Sequence, residues 1–190
     1  MEKKNIILGV TASIAIYKAC EIIRRLNEAN LGLSVVMTKN ATQLISPQVF
    51  SSLSRGRVYP VRKAFSNGVY CDEFTNHKDW DIEHISLAKK ADLVLIAPAT
   101  ANIIGKIANG IADDLLSTLI MAVRVPVLIA PAMNENMYKN KAVQANIQKL
   151  KELRFKFIGP KTGKLACGDV GLGHLAEVET IAKEVKRFLK

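Results

Sequence analysis

The chain has little cysteine and no long apolar run. Its three cysteines, Cys20, Cys71 and Cys167, are widely spaced and form no C-x-x-C pair. Such a set is a poor basis for a disulfide framework or a zinc cluster, and three scattered histidines indicate no metal site. No apolar segment approaches the roughly 20 residues of a membrane helix, and the first residues do not resemble a secretory leader. We therefore expect a cytoplasmic protein without a metal or a membrane anchor.

Acidic residues are scarce relative to basic ones. The chain has 27 Lys and Arg against 17 Asp and Glu, which gives a formal net charge of +10. The cations do not cluster, however; they recur along amphipathic segments such as residues 21–26 and 182–188, as on solvated helix faces. Attraction for small phosphorylated or carboxylated ligands explains the charge at least as well as nucleic-acid binding does.

Apolar strand-like segments alternate with amphipathic helical ones along the whole chain. A hydrophobic fraction of 49% in 190 residues is enough for one domain with a real core. The predicted strands are residues 6–10, 33–37, 92–97, 125–130 and 156–158. The predicted helices are residues 13–26, 41–53 with an interruption near Pro47, 83–91, 102–123 with a break near Gly110, 136–153 and 177–189. Near-continuous apolar strands between helices predict a doubly wound parallel sheet with helices on both faces, an α/β fold of the Rossmann-like type.

Two segments do not fit this alternation. Residues 55–80 lack clear periodicity, and no structure is predicted for them. Residues 159–173 are rich in glycine and are predicted to form a loop.

Two of the predicted strands end in matching turns. The strand at residues 92–97 continues into Pro98-Ala-Thr-Ala-Asn102, and the strand at residues 125–130 continues into Pro131-Ala-Met-Asn134. Ligands of open parallel sheets bind outside the carboxyl ends of the strands. The hydroxyl and amide side chains of the two turns are therefore expected to form one site.

The sequence lacks the G-x-G-x-x-G motif of common dinucleotide sites. The first strand instead leads through Gly9-Val-Thr-Ala-Ser13 into a helix. This turn either binds an anion such as phosphate or is a plain strand-to-helix turn capped by Ser13. The second strand is followed by Thr38, and not by the acidic residue that holds an adenosine ribose. A terminal phosphate, as in FMN, fits this pattern better than NAD does.

Five segments together resemble a known family. They are residues 9–18, 84–87, 97–102 with 107–115 behind them, 131–137 and 165–173. In this order they are similar to the homo-oligomeric flavin-containing cysteine decarboxylases, over nearly the whole chain. Two positions depart from the usual pattern: Ala12 replaces a frequent glycine, and His174 replaces a frequent arginine.

The resemblance implies a flavodoxin-like fold and a specific activity. Residues 1–190 would form a single FMN-binding domain that converts 4′-phospho-N-pantothenoylcysteine to 4′-phosphopantetheine and CO₂ in coenzyme A biosynthesis. In the implied reaction the cysteinyl thiol is oxidised to a thioaldehyde, CO₂ loss gives an aminoenethiol, and the reduced FMN returns the electrons. The family forms trimers, or four trimers together as a dodecamer. Some members are fused to the phosphopantothenate–cysteine ligase of the preceding step.

The resemblance also implies roles for three residues. His84 matches the catalytic base, Asn134 would orient the substrate carboxylate, and Cys167 would donate a proton from a glycine-rich flap that closes over the substrate. The alternatives are a surface histidine capping a helix, an asparagine capping the next helix, and a silent thiol in a tight turn.

The expected binding residues follow from the same motifs. Ser13 and Thr38 are expected at the FMN phosphate. The complete cofactor set is Gly9, Ser13, Thr38, Pro98, Ala99, Thr100, Ala101, Asn102, Ala132 and Met133. The complete substrate set is Asn134, Met137, Ala166, Cys167 and Gly168. Asp113 and Asp114 are expected to brace the break before the following helix.

Several other functions remain open at this point. The chain could be a flavin-binding regulatory subunit of the same fold, since fold alone does not fix activity. It could be a peptidyl-cysteine decarboxylase that stops at the enethiol, although those enzymes lack the motif around Cys167. A flavin prenyltransferase would not explain residues 131–134 or 166–168.

Overall fold

The main feature of the computed structural model is a parallel sheet. The structure describes residues 3–29, 31–54, 57–59, 68–71, 83–164 and 170–189. Within these residues the main sheet has seven strands in the order β3-β4-β2-β1-β5-β6-β7, and every paired neighbour is parallel. The strands are β1 (Asn5–Val10), β2 (Gly32–Met37), β3 (Arg57–Tyr59), β4 (Gly68–Cys71), β5 (Leu93–Ala99), β6 (Val127–Pro131) and β7 (Lys156–Phe157).

Helices connect the strands and cover the sheet. A 3-10 turn, Ile14–Ile16, precedes the first helix. The helices are α1 (Tyr17–Asn27), α2 (Lys39–Thr42), α3 (Pro47–Ser54), α4 (Glu83–Lys90), α5 (Ala101–Ala108), α6 (Leu115–Ala122), α7 (Glu135–Lys139), α8 (Lys141–Glu152) and α9 (Val178–Phe188). Within the described residues, no helix combines the length and apolarity needed to cross a membrane.

Alternating side chains of the strands build two cores, one on each face of the sheet. In β1, Leu8 packs with α1, α3 and α9, whereas Ile7 packs with α4, α5, α6 and α8. In β5, Leu95 and Ile96 divide between the same two cores. Burying both faces explains why the strands are almost continuously apolar. The predicted doubly wound parallel sheet is confirmed.

The predicted helix breaks are confirmed and acquire a physical cause. Pro47 begins α3 after a short gap from α2, as expected for a residue that is tolerated only in the first turn of a helix. The break near Gly110 separates α5 from α6, and Gly110 has a φ of 68°. Asp114 then caps α6 through a bond from the Ser117 N–H, 2.7 Å long.

The prediction of a loop for residues 159–173 is wrong for its two flanks. Two antiparallel strands, β8 (Lys161–Lys164) and β9 (Val170–His174), form a hairpin. Residues 165–169, which carry the Cys167 motif, lie outside the described residues. No structure is predicted from the sequence for residues 55–80, but the strands β3 and β4 lie within this segment.

Candidate functional site

A buried threonine joins the turns that follow β1 and β5. These two strands are neighbours, and the chain order reverses between them because β2 lies on the other side of β1. The Thr11 hydroxyl donates to the Pro98 carbonyl at 2.7 Å and accepts from the Thr100 N–H at 3.1 Å. Thr11 is 2% exposed. This bond pair fixes the edge of the sheet where a doubly wound fold places its ligand.

Two adjoining cavities lie along this edge, and together we call them the carboxyl-edge groove. The β6 cavity has a volume of about 480 Å³, and the β2 cavity about 500 Å³. Both are lined by Ala12, Thr100, Ala101 and Met137. The β6 cavity adds Ser13, Ile14, Ala15, Tyr17, Ala132, Met133, Asn134, Gly173, His174 and Leu175. The β2 cavity adds Thr11, Thr38, Lys39, Asn40, Asn102, Ile103, Lys106, Asp113 and Asp114.

Ser13 connects the first turn to the end of β6. Its hydroxyl donates to the Ala132 carbonyl at 3.1 Å and accepts from the Ala15 N–H at 3.4 Å. The Ala132 N–H in turn donates to the Ala99 carbonyl at 3.0 Å. The turns after β1, β5 and β6 therefore form one hydrogen-bonded unit, as the matching Pro-Ala turns in the sequence suggested.

The β8–β9 hairpin is anchored on the turn that carries Asn134. The Met133 N–H donates to the Gly173 carbonyl at 3.0 Å. Glu135 accepts from the Leu172 N–H at 3.1 Å and pairs with Lys139 at 2.9 Å. The hydrogen bond with Lys139, and secondly the Leu172 N–H, lower the pKa of Glu135. These contacts place β9 against the wall of the β6 cavity.

Asn134 projects from the N-terminal end of α7. Its Oδ1 accepts from the Asn136 N–H at 2.8 Å, so the side chain caps the helix as well as lining the β6 cavity. The two expectations for this residue, capping and facing a ligand, are therefore compatible.

An ion triad stands in the wall of the β2 cavity. Lys106 lies 2.7 Å from Asp113 and 2.7 Å from Asp114. Burial acts to lower the pKa of Lys106, but the bonds to both carboxylates outweigh it and the pKa is raised. The bond with Lys106 is also the main cause of the lowered pKa of Asp113. The triad fixes the link between α5 and α6, as expected for the two aspartates.

Most of the predicted cofactor residues lie on the groove. Those that line it are Ser13, Thr38, Thr100, Ala101, Asn102, Ala132 and Met133. Gly9, Pro98 and Ala99 lie in the strands beneath and line neither cavity. A Cβ at Gly9 would come within 2.7 Å of the Leu116 side chain, so this glycine allows α6 to pack closely.

The other predicted residues are distributed differently. Met137 lines both cavities. His84 is half-buried on α4, which packs against α6, and it lines neither cavity of its own chain. Ala166, Cys167 and Gly168 lie outside the described residues.

His174 is a groove residue that the sequence did not single out as functional. It lines the β6 cavity at the end of β9, and its Nδ1 lies 3.0 Å from the Leu175 carbonyl. Its ring also lies against Gly163, where a Cβ would be 3.2 Å from the ring. In the sequence, the one sign of a role for His174 is that it replaces a frequent arginine. Its place in the groove could not be predicted, because it depends on how the β8–β9 hairpin packs against the turn after β6.

The whole chain matches a family of known proteins. The family model described as Flavoprotein matches residues 1–190. The chain belongs to the Flavoprotein family. The predicted membership of a flavin-containing family is thereby confirmed.

Curated relatives of this flavoprotein are similar in sequence over almost its full length. It is 45% identical over 183 residues to the coenzyme A biosynthesis bifunctional protein CoaBC of Bacillus subtilis, covering 96% of this chain and 42% of that protein. It is 40% identical over 188 residues to a probable phosphopantothenoylcysteine decarboxylase of Streptococcus mutans, covering 98% of this chain and 99% of that protein. The chain thus spans less than half of the bifunctional relative.

Solved structures share the fold. A cysteine-to-serine mutant of PPC decarboxylase complexed with pantothenoylaminoethenethiol has a TM-score of 0.84 at 28% identity, covering 98% of each chain. The FMN-dependent cysteine decarboxylase SpaF has a TM-score of 0.78 at 26% identity, again covering 98% of each chain. These matches support the flavodoxin-like α/β fold.

The residues of the groove fit a flavin. Ala12, Ala101 and Ala132 are small apolar residues that leave room for a planar ring, and Met133 adds a polarisable side chain. Thr38 makes no side-chain bond to α2, which it caps, so the turn after β2 presents a hydroxyl and no carboxylate. This set of groups suits a ring with a terminal phosphate better than it suits an adenosine ribose.

Proposed function

We propose that this flavoprotein is an FMN-dependent decarboxylase that converts 4′-phospho-N-pantothenoylcysteine to 4′-phosphopantetheine and CO₂. Residues 1–190 would act as one FMN-binding domain in the cytoplasm, and a phosphopantothenate–cysteine ligase would supply the substrate. The names of the curated relatives support the substrate and the pathway. The CoaBC relatives are named as bifunctional proteins and this chain covers 42% of one of them, which is consistent with a second enzyme as the proposed partner.

One structural observation carries the proposal. The adjoining ends of β5 and β6 bring Thr100 and Asn134 to the same cavity, which Ser13 also lines. The hydroxyl side chains proposed to contact the cofactor and the Asn134 amide proposed to contact the substrate therefore line the same cavity. A plain strand-to-helix turn would not require this arrangement.

We assign Asn134 to the substrate carboxylate. A neutral amide donates hydrogen bonds to a carboxylate without adding a charge that would stabilise the group against leaving. The bond from the Asn136 N–H holds the side chain in one orientation. Met137 and Met133 would provide apolar contacts around the substrate and the cofactor.

We assign His84 as the base and place it in the groove of a neighbouring copy. Within its own chain His84 lies on α4 and is not among the residues that line the groove. We infer that it acts across a subunit boundary of a homo-oligomer, and the resemblance favours a trimer or a dodecamer of four trimers.

We assign Cys167 as the proton donor of the final step, with Ala166 and Gly168 beside the substrate. The motif stands between β8 and β9, and β9 is bonded to Met133 and Glu135. These bonds hold β9, which follows the motif in the sequence, beside the β6 cavity.

FMN, when bound, supplies the electron sink that CO₂ loss from a cysteinyl carboxylate requires. Ser13 and Thr38 would hold its phosphate. Thr100, Ala101, Asn102 and Ala132 would lie along the rest of the cofactor. The residues of the chain itself would position the substrate, transfer protons and exclude water from the cavity.

The proposal is tested by CO₂ release from substrate labelled in its cysteinyl carboxylate. We expect release by the flavin-loaded protein, and a loss of about 10²–10⁴-fold in His84→Asn, the typical contribution of a positioned acid or base. Lys89→Gln, at an exposed position of the same helix α4, is the control and should retain activity. A flavin-loaded wild-type protein that releases no CO₂ would contradict the decarboxylase and favour a flavin-binding regulator.

A further inference from the structure

A third cavity lies at the opposite end of β6 from the carboxyl-edge groove. We call it the amino-edge cavity; its volume is about 400 Å³. It is bounded by the segments that lead into β6 and β7 and by the C-terminal ends of α6, α8 and α9. The assigned substrate and cofactor residues described above do not line it.

The floor of the cavity is apolar. Phe155 and Phe188 contribute rings that are only partly buried, and Val123 and Val125 add partly buried aliphatic surface. The remaining apolar lining residues are Ile120, Pro126, Val127 and Leu153. A floor of this kind suits a ring or a short hydrocarbon chain, because burying apolar surface drives binding.

The rim of the cavity is cationic. Arg124, Arg154 and Lys156 line it and are exposed. None of the three forms an ion pair with another described residue, whereas Arg25, Lys106 and Lys161 elsewhere are paired with carboxylates. The rim therefore carries three cations that no described carboxylate pairs with, beside an apolar surface.

Arg154 occupies a position where glycine would be more stable. The helix α8 ends in a Schellman motif, with the Arg154 N–H bonded to the Lys151 carbonyl at 3.0 Å and the Phe155 N–H to the Leu150 carbonyl at 2.9 Å. The residue at this point of the motif is usually glycine, because it must be left-handed. Arg154 has a φ of 69°. Among the residues that the structure describes, no other non-glycine residue has a positive φ. Strain of this kind tends to persist at functional positions.

The helix ends alone do not account for the rim. The C-terminus of each helix carries about half a negative charge, which favours a nearby cation. Three such ends oppose three full positive charges, so the rim stays positive. The dipole of α8 favours a cation near its end, but a cation at a neighbouring right-handed position would gain this attraction without the left-handed strain of Arg154.

We infer that the amino-edge cavity binds a small amphipathic anion. Its ring or chain would lie on Phe155 and Phe188, and its phosphate, sulfonate or carboxylate group would be held by Arg154, Lys156 and Arg124. The inference does not depend on the proposed decarboxylase activity, because the site shares none of the groove residues.

Isothermal titration calorimetry of the flavin-loaded protein with 1-anilinonaphthalene-8-sulfonate tests the inference. This probe combines an aromatic body with one sulfonate. The variants Arg154→Gly and Lys156→Gln should each weaken its binding about fivefold, which is the upper range for an exposed ion pair. The control Lys149→Gln removes an exposed cation from α8 outside the cavity and should leave the affinity unchanged.

Arg154→Gly separates loss of binding from loss of folding. Glycine relieves the left-handed strain, so the Tm should stay equal or rise by about 1–4 °C while the affinity falls. Inorganic phosphate, which lacks an apolar body, should bind much more weakly than the probe.

Three results would overturn the inference. One is wild-type affinity for the probe in both cavity variants, as expected if the cations only counter the helix ends. Another is equal weakening by Lys149→Gln, which would indicate general surface attraction. The third is binding of an acidic peptide in place of the probe, which would make the cavity a protein contact.

Discussion

The Met133 N–H donates a 3.0 Å hydrogen bond to the Gly173 carbonyl, and this contact seats the β8–β9 hairpin on the groove. Glu135 adds a second attachment through the Leu172 N–H. The turn that presents Asn134 and the strand β9 are therefore joined by two hydrogen bonds. Changes at this contact should affect the groove as well as the hairpin.

Gly173→Ala should displace the hairpin. Gly173 has a φ of 154°, and a Cβ there would lie 2.1 Å from the Met133 carbonyl oxygen. Overpacking against backbone typically costs about 1–3 kcal/mol, so thermal unfolding should show a lower Tm. The matched control is Gly105→Ala on α5, where the nearest atom is 3.6 Å away; it should be neutral or stabilising. Equal effects of the two changes would show that the hairpin contact is unimportant.

Thr11→Val should loosen the joint between the turns after β1 and β5. Valine keeps the shape but leaves the Pro98 carbonyl and the Thr100 N–H without their buried partner, at a cost of about 1–3 kcal/mol. Urea unfolding measures this loss, and flavin retention on dialysis should fall with it. Thr11→Ser keeps the hydroxyl and should lose much less. A Thr11→Val protein as stable as Thr11→Ser would refute the role of this bond pair.

Attachment of the hairpin through Glu135 should weaken in acid. The hydrogen bond with Lys139, followed by the Leu172 N–H, lowers the pKa of Glu135 in the folded protein. A lowered pKa gives stability that is present above the unfolded-state pKa and is lost as the pH falls through the folded-state value. The protection of the Leu172 amide against hydrogen exchange should therefore persist at neutral pH and decline below the ordinary glutamate range.

Lys139→Met provides the control for this pH dependence. Removing the ammonium group should raise the pKa of Glu135, so the decline in Leu172 protection should begin at a higher pH. An unchanged profile would mean that Glu135 does not control the attachment.

His174→Ala should weaken substrate binding. His174 lines the β6 cavity, and its ring is held by Gly163 and the Leu175 carbonyl. We expect the imidazole to make one polar contact with the substrate, so its loss should raise KM about 2–10-fold, with kcat affected less. Lys161→Gln is the control, because Lys161 pairs with Glu177 and does not line the cavity. Identical KM values in the two variants would remove His174 from the substrate site.

The sequence predicted the parts of the fold that depend on local pattern. The strands β5 and β6 are continuous apolar runs, so their burial and parallel pairing follow from composition. Their matching ends indicated that Thr100 and Asn134 would lie together, and the structure brings both to the β6 cavity. The assignment of these residues to cofactor and substrate stays a prediction.

The parts that the sequence missed depend on distant contacts. The strands β8 and β9 contain glycines and lysines, which have little strand propensity, and β9 is positioned by Met133 and Glu135 far along the chain. The position of His174 in the groove follows from that docking. The close packing of Leu116 of α6 against Gly9 is likewise visible only in the packed structure, and the contact of Gly9 with the cofactor stays a prediction.

The product of the reaction tests the account most directly. The flavin-loaded wild-type protein is incubated with 4′-phospho-N-pantothenoylcysteine, and the product is identified by mass spectrometry. We predict a product lighter by CO₂ alone, and accumulation of the oxidised enethiol, lighter by a further two hydrogens, in Cys167→Ser. A wild-type product that lacks both CO₂ and two hydrogens would contradict the role of Cys167 and make this flavoprotein a decarboxylase that stops at the enethiol.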